Sequence, residues 1–278
     1  MTYCVAIKTN AGLVFLSDSR TNAGLDNISS FRKMVLYEET GSRFMALLSA
    51  GNLSITQTIR ELLQTQQIED SSTGAPITIW NATSMFEAAR ILGAAVRHLH
   101  ERDGDELRKA GIDFNVSFLF GGQIHGEAPR LFQVYAAGNF IEATNETPFF
   151  QIGEFKYGKP VLDRVIAPEL PLGEAAKCAL VSMDSTLKSN LSVGMPLDLV
   201  VYERDAFTAS RVASIGEDNA YFRNLRKSWG EKLRQIFDEI EEPDWNEGAA
   251  CESLQTINSP HTNVKPLRKI MTPRDKLI

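Results

Sequence analysis

The sequence predicts an α+β fold, a four-layer αββα sandwich in which two packed sheets carry helices on their outer faces. Three observations carry that expectation. The apolar patterns run in the order strands, two helices, strands, two helices, strands, helix. The run 114–124 (FNVSFLFGGQI) is apolar on both faces, as a strand covered on two sides must be. The segment after Ser84 keeps an apolar stripe of Met85, Ala89, Leu92, Val96 and Leu99 at spacings of four and three.

The elements follow in chain order. Residues 3–8 (YCVAIK) and 13–18 (LVFLSD) are short apolar runs on either side of the turn residues Asn10 and Gly12. As a hairpin they set Tyr3 against Asp18 and Thr2 against Ser19. A second hairpin joins 31–39 and 43–51 around Thr40, Gly41 and Ser42, with Lys33 opposite 48–50 and Gly51 just beyond the strand. A helix over 53–66 follows, with Ile55, Ile59, Leu62 and Leu63 on one face. Residues 70–80 read as a loop. Ser84 and Glu87 form a capping box for the second helix, and Phe86, Ala88 and Ile91 widen its apolar surface, so cover on more than one side is expected. Strands are expected at 114–124, 131–138, 139–144 and 149–153, helices at 156–166 and 172–187, and late strands at 197–204 and 210–216. A last helix carries Phe222, Leu225, Trp229, Leu233, Ile236, Phe237 and Ile240, and Pro243 ends it. One domain over 1–245 accounts for these elements; 246–278, with Pro260, Pro266 and Pro273, reads as a flexible tail or one that docks on a neighbouring subunit.

Composition narrows the function. The chain has 278 residues, 43% of them hydrophobic, and a net charge of −6. Without a basic stripe, nucleic acid is not an expected partner. No apolar run approaches the ~18 residues of a membrane span, and no charged-then-apolar leader precedes the first strand. Cys4, Cys178 and Cys251 are scattered and odd in number, which fits reduced thiols in a cytoplasm. Cys4 reads as a small buried group in its strand. Neither metal nor cofactor is expected: the four histidines form no zinc pattern, and His98 and His100 point to different helix faces.

The chemistry begins at the second residue. Removing Met1 leaves Thr2 as a free terminus, whose hydroxyl is a nucleophile and whose own α-amine is a base. That amine has a reference pKa of about 7.7–8, close to what a general base needs. Lys33 is a cation that can favour the neutral amine and the developing alkoxide, worth about 4 kcal/mol at 4 Å and an effective dielectric near 20. A lysine on an edge strand is also common at surfaces, and Phe31, Met34 and Leu36 do not fix its direction. Asp18 can hold Lys33 charged and oriented, or simply end a strand. Gly51, at a helix N-terminus, offers an N–H to an oxyanion. Arg20 reads as structural.

The MTYCVAIKTNAGLVFLSDSRTNAG start, Lys33, the SAGNLS junction and the later GGQI, YAAGNFIEAT and IGEFKYGKPVLDRVI segments together resemble the proteasome-type β-subunits of the N-terminal-nucleophile hydrolases, and within them the bacterial homologues called Anbu. The resemblance runs from Met1 to about 240. It implies the same αββα fold, a threonine-type peptidase or amidohydrolase working through Thr2, and self-association into a ring or open spiral around peptide or unfolded-protein substrates. An unfoldase partner is possible by the same analogy. It places Leu53 at the floor and Thr21 on the wall of the side-chain pocket, which implies an apolar, medium-sized preference. Ser189 and Ser192 match the family's proton-relay positions, with Ser189 where an aspartate is usual and Glu154 where a serine is usual. Two alternatives stay open: a catalytically silent scaffold on the same fold, and a small-molecule amidase.

Overall fold

The computed structural model describes residues 2–22, 28–65, 68–69 and 76–243. The chain divides into two units, Met1–Leu233 and Arg234–Ile278; the architecture below is that of the first, and the expected tail at 246–278 lies outside the described residues.

Both hairpins form in the expected registers. β1 (Tyr3–Thr9) and β2 (Gly12–Asp18) pair with Cys4 opposite Ser17 and Thr9 opposite Gly12. After β3 (Arg20–Asn22) and β4 (Ile28–Ser30), which pair only with each other, β5 (Met34–Glu39) and β6 (Arg43–Gly51) pair with Met34 opposite Leu48. Gly51 is the last residue of β6 rather than the first beyond it, because the ladder to the next strand extends to Val116. α1 (Leu53–Thr65) follows, then β7 (Ile68–Glu69) and β8 (Pro76–Ile77). Within the expected 70–80 loop, 76–77 are therefore a short strand while 78–80 are irregular and turn as expected, and 70–75 lie outside the described residues.

α2 (Met85–Lys109) starts at the Ser84 cap, whose side chain accepts from the Glu87 N–H at 3.1 Å. The return half of the capping box is displaced by one residue: Glu87 accepts from the N–H of Thr83, at 2.6 Å, not from that of Ser84. The stripe from Met85 to Leu99 is fully buried, as are Ala88 and Ile91, but Phe86 is 46% exposed and rests edge-on against Phe140. β9 (Val116–Ile124), β10 (Arg130–Val134), β11 (Phe140–Glu142) and β12 (Phe149–Gly153) come next. β10 stops short of the expected 138, since 135–139 close a turn in which Tyr135 N–H donates to Asn139. α3 (Phe155–Val165), α4 (Leu172–Ser189), β13 (Leu197–Glu203), β14 (Arg211–Ile215) and α5 (Ala220–Glu239) complete the order.

The strands make two five-stranded antiparallel sheets, β12-β1-β2-β13-β14 and β11-β10-β9-β6-β5. Alternation along each strand sorts the core into three layers. Cys4, Ala6, Leu13 and Phe15 of the first sheet meet Phe44, Ala46, Leu48 and Leu119 of the second. The far face of the second sheet packs on α1 and α2. The far face of the first packs on α3, α4 and Phe222 of α5. That is the αββα sandwich. β1, with strands on both sides, brings Thr2 to the end of the central layer.

Candidate active site

Thr2 is held by its backbone. The Thr2 carbonyl accepts from the Glu154 N–H at 2.8 Å, and the next N–H, that of Tyr3, donates to Asp18 Oδ1 at 2.9 Å. Both polar groups of the 2–3 peptide are thus satisfied on opposite sides. β12 comes this close because Gly153 sits at φ +82°, where a Cβ would overlap the Thr2 carbonyl.

Asp18 and Lys33 form a buried ion pair, Nζ to Oδ1 at 2.7 Å, with side chains 0% and 7% exposed. Lys33 also donates to the Arg20 carbonyl at 2.7 Å, and Asp18 Oδ2 accepts from the Gly194 N–H at 3.3 Å. Burial pushes the Asp18 carboxyl above its usual range, while the Lys33 charge and the Lys33, Tyr3 and Gly194 donors pull it back. The surface alternative for Lys33 does not hold. Its direction is set by the second hairpin, since the Lys33 carbonyl accepts from both the N–H (3.0 Å) and the hydroxyl (3.3 Å) of Ser49.

The same alternation aims Gly51. Ser49 N–H points toward the β5 side, so two residues on the Gly51 N–H points that way as well, past the point where β5 begins. Asn52 N–H turns instead to Asn115, at 2.9 Å. Gly51 has φ +113°, and a Cβ there would overlap the Asn115 carbonyl. Asn52 then caps α1, accepting from the Ser54 N–H at 3.0 Å.

These groups open onto a cavity of about 640 Å³ lined by Thr2, Lys33, Gly51, Leu53, Arg60 and Glu154, among others. Leu53, Thr56 and Arg60 share one face of α1, while Ile55, Ile59, Leu62 and Leu63 bury the other. The structure therefore brings Thr2, Asp18, Lys33, Gly51 and Leu53 together. Thr21 is placed by its backbone in β3 opposite Ser29, and its side chain lies outside the described part.

Ser189 and Ser192 are not among the residues that line this cavity. Ser189 is the exposed last residue of α4, and the Ser192 hydroxyl donates to Asn190 Oδ1 at 2.6 Å. What their segment supplies is the Gly194 N–H on Asp18. Arg20 is structural as expected, donating to the Leu191 carbonyl at 3.1 Å. Sequence reasoning missed Arg32, Arg60 and Asn115 as lining residues. Arg60 was findable, since it stands seven residues, two helical turns, after Leu53. Among the described residues no cluster of His, Cys, Asp and Glu could hold a metal ion.

No family profile matches the chain. Solved structures do. A mutant (Gly-1) of Anbu from Hyphomicrobium sp. strain MC1 is 53% identical, with a TM-score of 0.79 over 88% of this chain and 100% of that one. The Anbu complex of Pseudomonas aeruginosa, solved as a helical assembly, is 43% identical, with a TM-score of 0.80 over 89% of this chain and 100% of that one. Among curated proteins, a proteasome subunit beta of Haloquadratum walsbyi is 24% identical over 205 residues, 73% of this chain and 74% of its own length.

Proposed function

The chain belongs to the Anbu family of proteasome-like proteins, and from that premise we propose that it is a threonine-type hydrolase of peptide or other amide bonds, acting through Thr2 after loss of Met1. The observation that carries the reading is the convergence on one cavity of Thr2, the buried Lys33–Asp18 pair and Gly51.

In this reading the Thr2 Oγ attacks the scissile carbonyl while its own α-amine takes the hydroxyl proton. The carbonyl electrons move to oxygen, and that oxyanion accepts from the Gly51 N–H. Collapse breaks the C–N bond, the ammonium of Thr2 returns the proton to the leaving amine, and an ester on Oγ remains. Water, deprotonated by the same amine, attacks the ester and frees the acid and the Thr2 hydroxyl. Lys33 favours the neutral amine and the charged transition states, and Asp18 keeps Lys33 charged and in place. Ser189 and Ser192 carry no step here.

Self-association into a ring or spiral belongs to the same proposal, supported by the helical assembly of the Pseudomonas relative. An inward-facing site would restrict substrates to short peptides or unfolded chains. No helix of the described residues is long and apolar enough to cross a membrane. Cys4 and Cys178 are free thiols, which supports a reducing compartment, the cytoplasm.

An epoxyketone peptide tests the reading, because it closes a ring on the Oγ and the α-amine of one residue. Intact mass is expected to show loss of Met1 and one adduct on Thr2, absent in Thr2→Ala. Retained Met1 and no adduct would return the chain to the scaffold alternative.

A further inference from the structure

The α1 face that looks into the cavity ends in a cation. Arg60 is partly buried, and its guanidinium donates to the Arg32 carbonyl at 3.0 Å. Arg32 itself lines the same cavity. Neither guanidinium has a carboxylate within ion-pair distance among the described residues. Asp198 senses the charge of Arg32 without pairing to it, and Tyr37 is the group that Arg60 senses. Lys33 is already engaged by Asp18, and Glu154 is the one acidic side chain among the described lining residues. A chain of net charge −6 thus concentrates positive charge in the cavity that holds Thr2.

Burial lowers the Arg60 pKa, the signature of a cation short of solvent. Such a group gains from an anion that arrives with the substrate, because part of its hydration has already been given up. An arginine fork fixed through its neighbour's carbonyl is also preorganised for two parallel bonds to a carboxylate. The apolar preference implied by Leu53 describes only the near end of the α1 face. Arg60 lies seven residues on, about 10 Å along the axis.

We propose that Arg60, with Arg32, selects substrates that carry a carboxylate on the acyl side of the bond that Thr2 attacks, and the skeleton chosen to test it has four bonds between that carboxylate and the scissile carbonyl. This rests on the hydrolase reading of the same cavity. Glutamic acid offers that skeleton in two ways. A glutamyl residue before an ordinary peptide bond presents its side-chain carboxylate. A γ-linked glutamyl amide presents its α-carboxylate at the same separation.

The test separates recognition from chemistry. In the full-length Thr2→Ala protein, which cannot react, binding is measured by calorimetry for a blocked tetrapeptide methylamide ending in Glu, for its Gln twin, and for the γ-linked isomer. The Glu ligand, the γ-linked isomer or both should bind at least about tenfold more tightly than the Gln twin, and which of them does identifies the source. The preference should vanish in Arg60→Gln, persist in part in Arg60→Lys, and weaken at high salt in the unsubstituted pocket. The salt series keeps the test valid should Arg60→Gln misfold. Equal binding, tighter binding of the Gln twin, no binding of any ligand, or a preference that survives both Arg60→Gln and Arg32→Gln overturns the proposal. Carboxylate-selective binding in a protein whose Thr2 forms no epoxyketone adduct would sink the hydrolase reading and leave only carboxylate recognition by Arg60, without the attack at Thr2.

Discussion

Lys33 Nζ lies 2.7 Å from Asp18 Oδ1, with both side chains at least nine-tenths buried. Removing one partner of such a pair leaves an uncompensated charge, at a cost of about 3–5 kcal/mol. Lys33→Met should therefore lose both stability and activity at neutral pH. The stability loss should depend on pH in a set direction. Burial already raises the Asp18 carboxyl, and the variant removes the main opposing influence. Between the ordinary carboxylate value of about 3.9 and the raised folded value, the folded variant binds more protons than the unfolded chain. Its stability relative to wild type should then fall as pH rises through that window and recover toward acid. Urea midpoints measured from pH 4 to 8 check this; a difference that is flat or grows toward acid would contradict it.

Gly51→Ala should damage fold and site together. The φ of +113° and the overlap with the Asn115 carbonyl oppose any Cβ. Backbone strain alone costs about 1–3 kcal/mol, and relief by moving β6 would displace the Gly51 N–H from the position the proposed mechanism needs. Denaturant unfolding together with the rate of adduct formation reads both effects. A stable variant with the wild-type rate would remove Gly51 from the mechanism.

Alkaline pH should loosen the interior at two tyrosines. Burial pushes Tyr37 and Tyr202 up to about 12 from an ordinary value of 10.0. Below pH 10 both are neutral whether the chain is folded or not. Between 10 and 12 the unfolded chain releases these protons and the folded one keeps them, so stability declines as pH rises. Tyr202 stacks on Phe44 with ring centroids 4.3 Å apart and donates to Gln123 at 2.6 Å. Tyr202→Phe should keep the stacking and flatten part of the decline, seen in melting temperatures from pH 9 to 11.5.

Ile59→Ala should cost about 2–5 kcal/mol, since Ile59 is fully buried on the core side of α1. Gln57→Ala, at an exposed position on the same helix, should stay within about 0.5 kcal/mol. Thermal melts of the two variants give the contrast.

The hairpin registers were legible because alternation and a short turn leave one pairing that buries the right faces. That legibility reached the site wherever a residue sits on a ladder: Asp18, Lys33 and Gly51 all do, directly or one residue away. It stopped where position depends on a loop. At the end of α4 and in the segment after it no periodicity guides the reading, so Ser189 and Ser192 rested on the family resemblance alone, and the group that arrives at Asp18 is a backbone N–H that leaves no mark in the sequence. Arg32 and Arg60 escaped notice because they approach each other from a loop and a helix twenty-eight residues apart.

The clamp on both sides of the 2–3 peptide bond also limits erosion of the chain. An exopeptidase that takes one residue from the front finds the next bond inside a strand stitched to two neighbours, β12 and β2. Were Met1 removed as proposed, trimming would stop there, and the new amine would belong to a residue whose backbone is already moored beside the cavity.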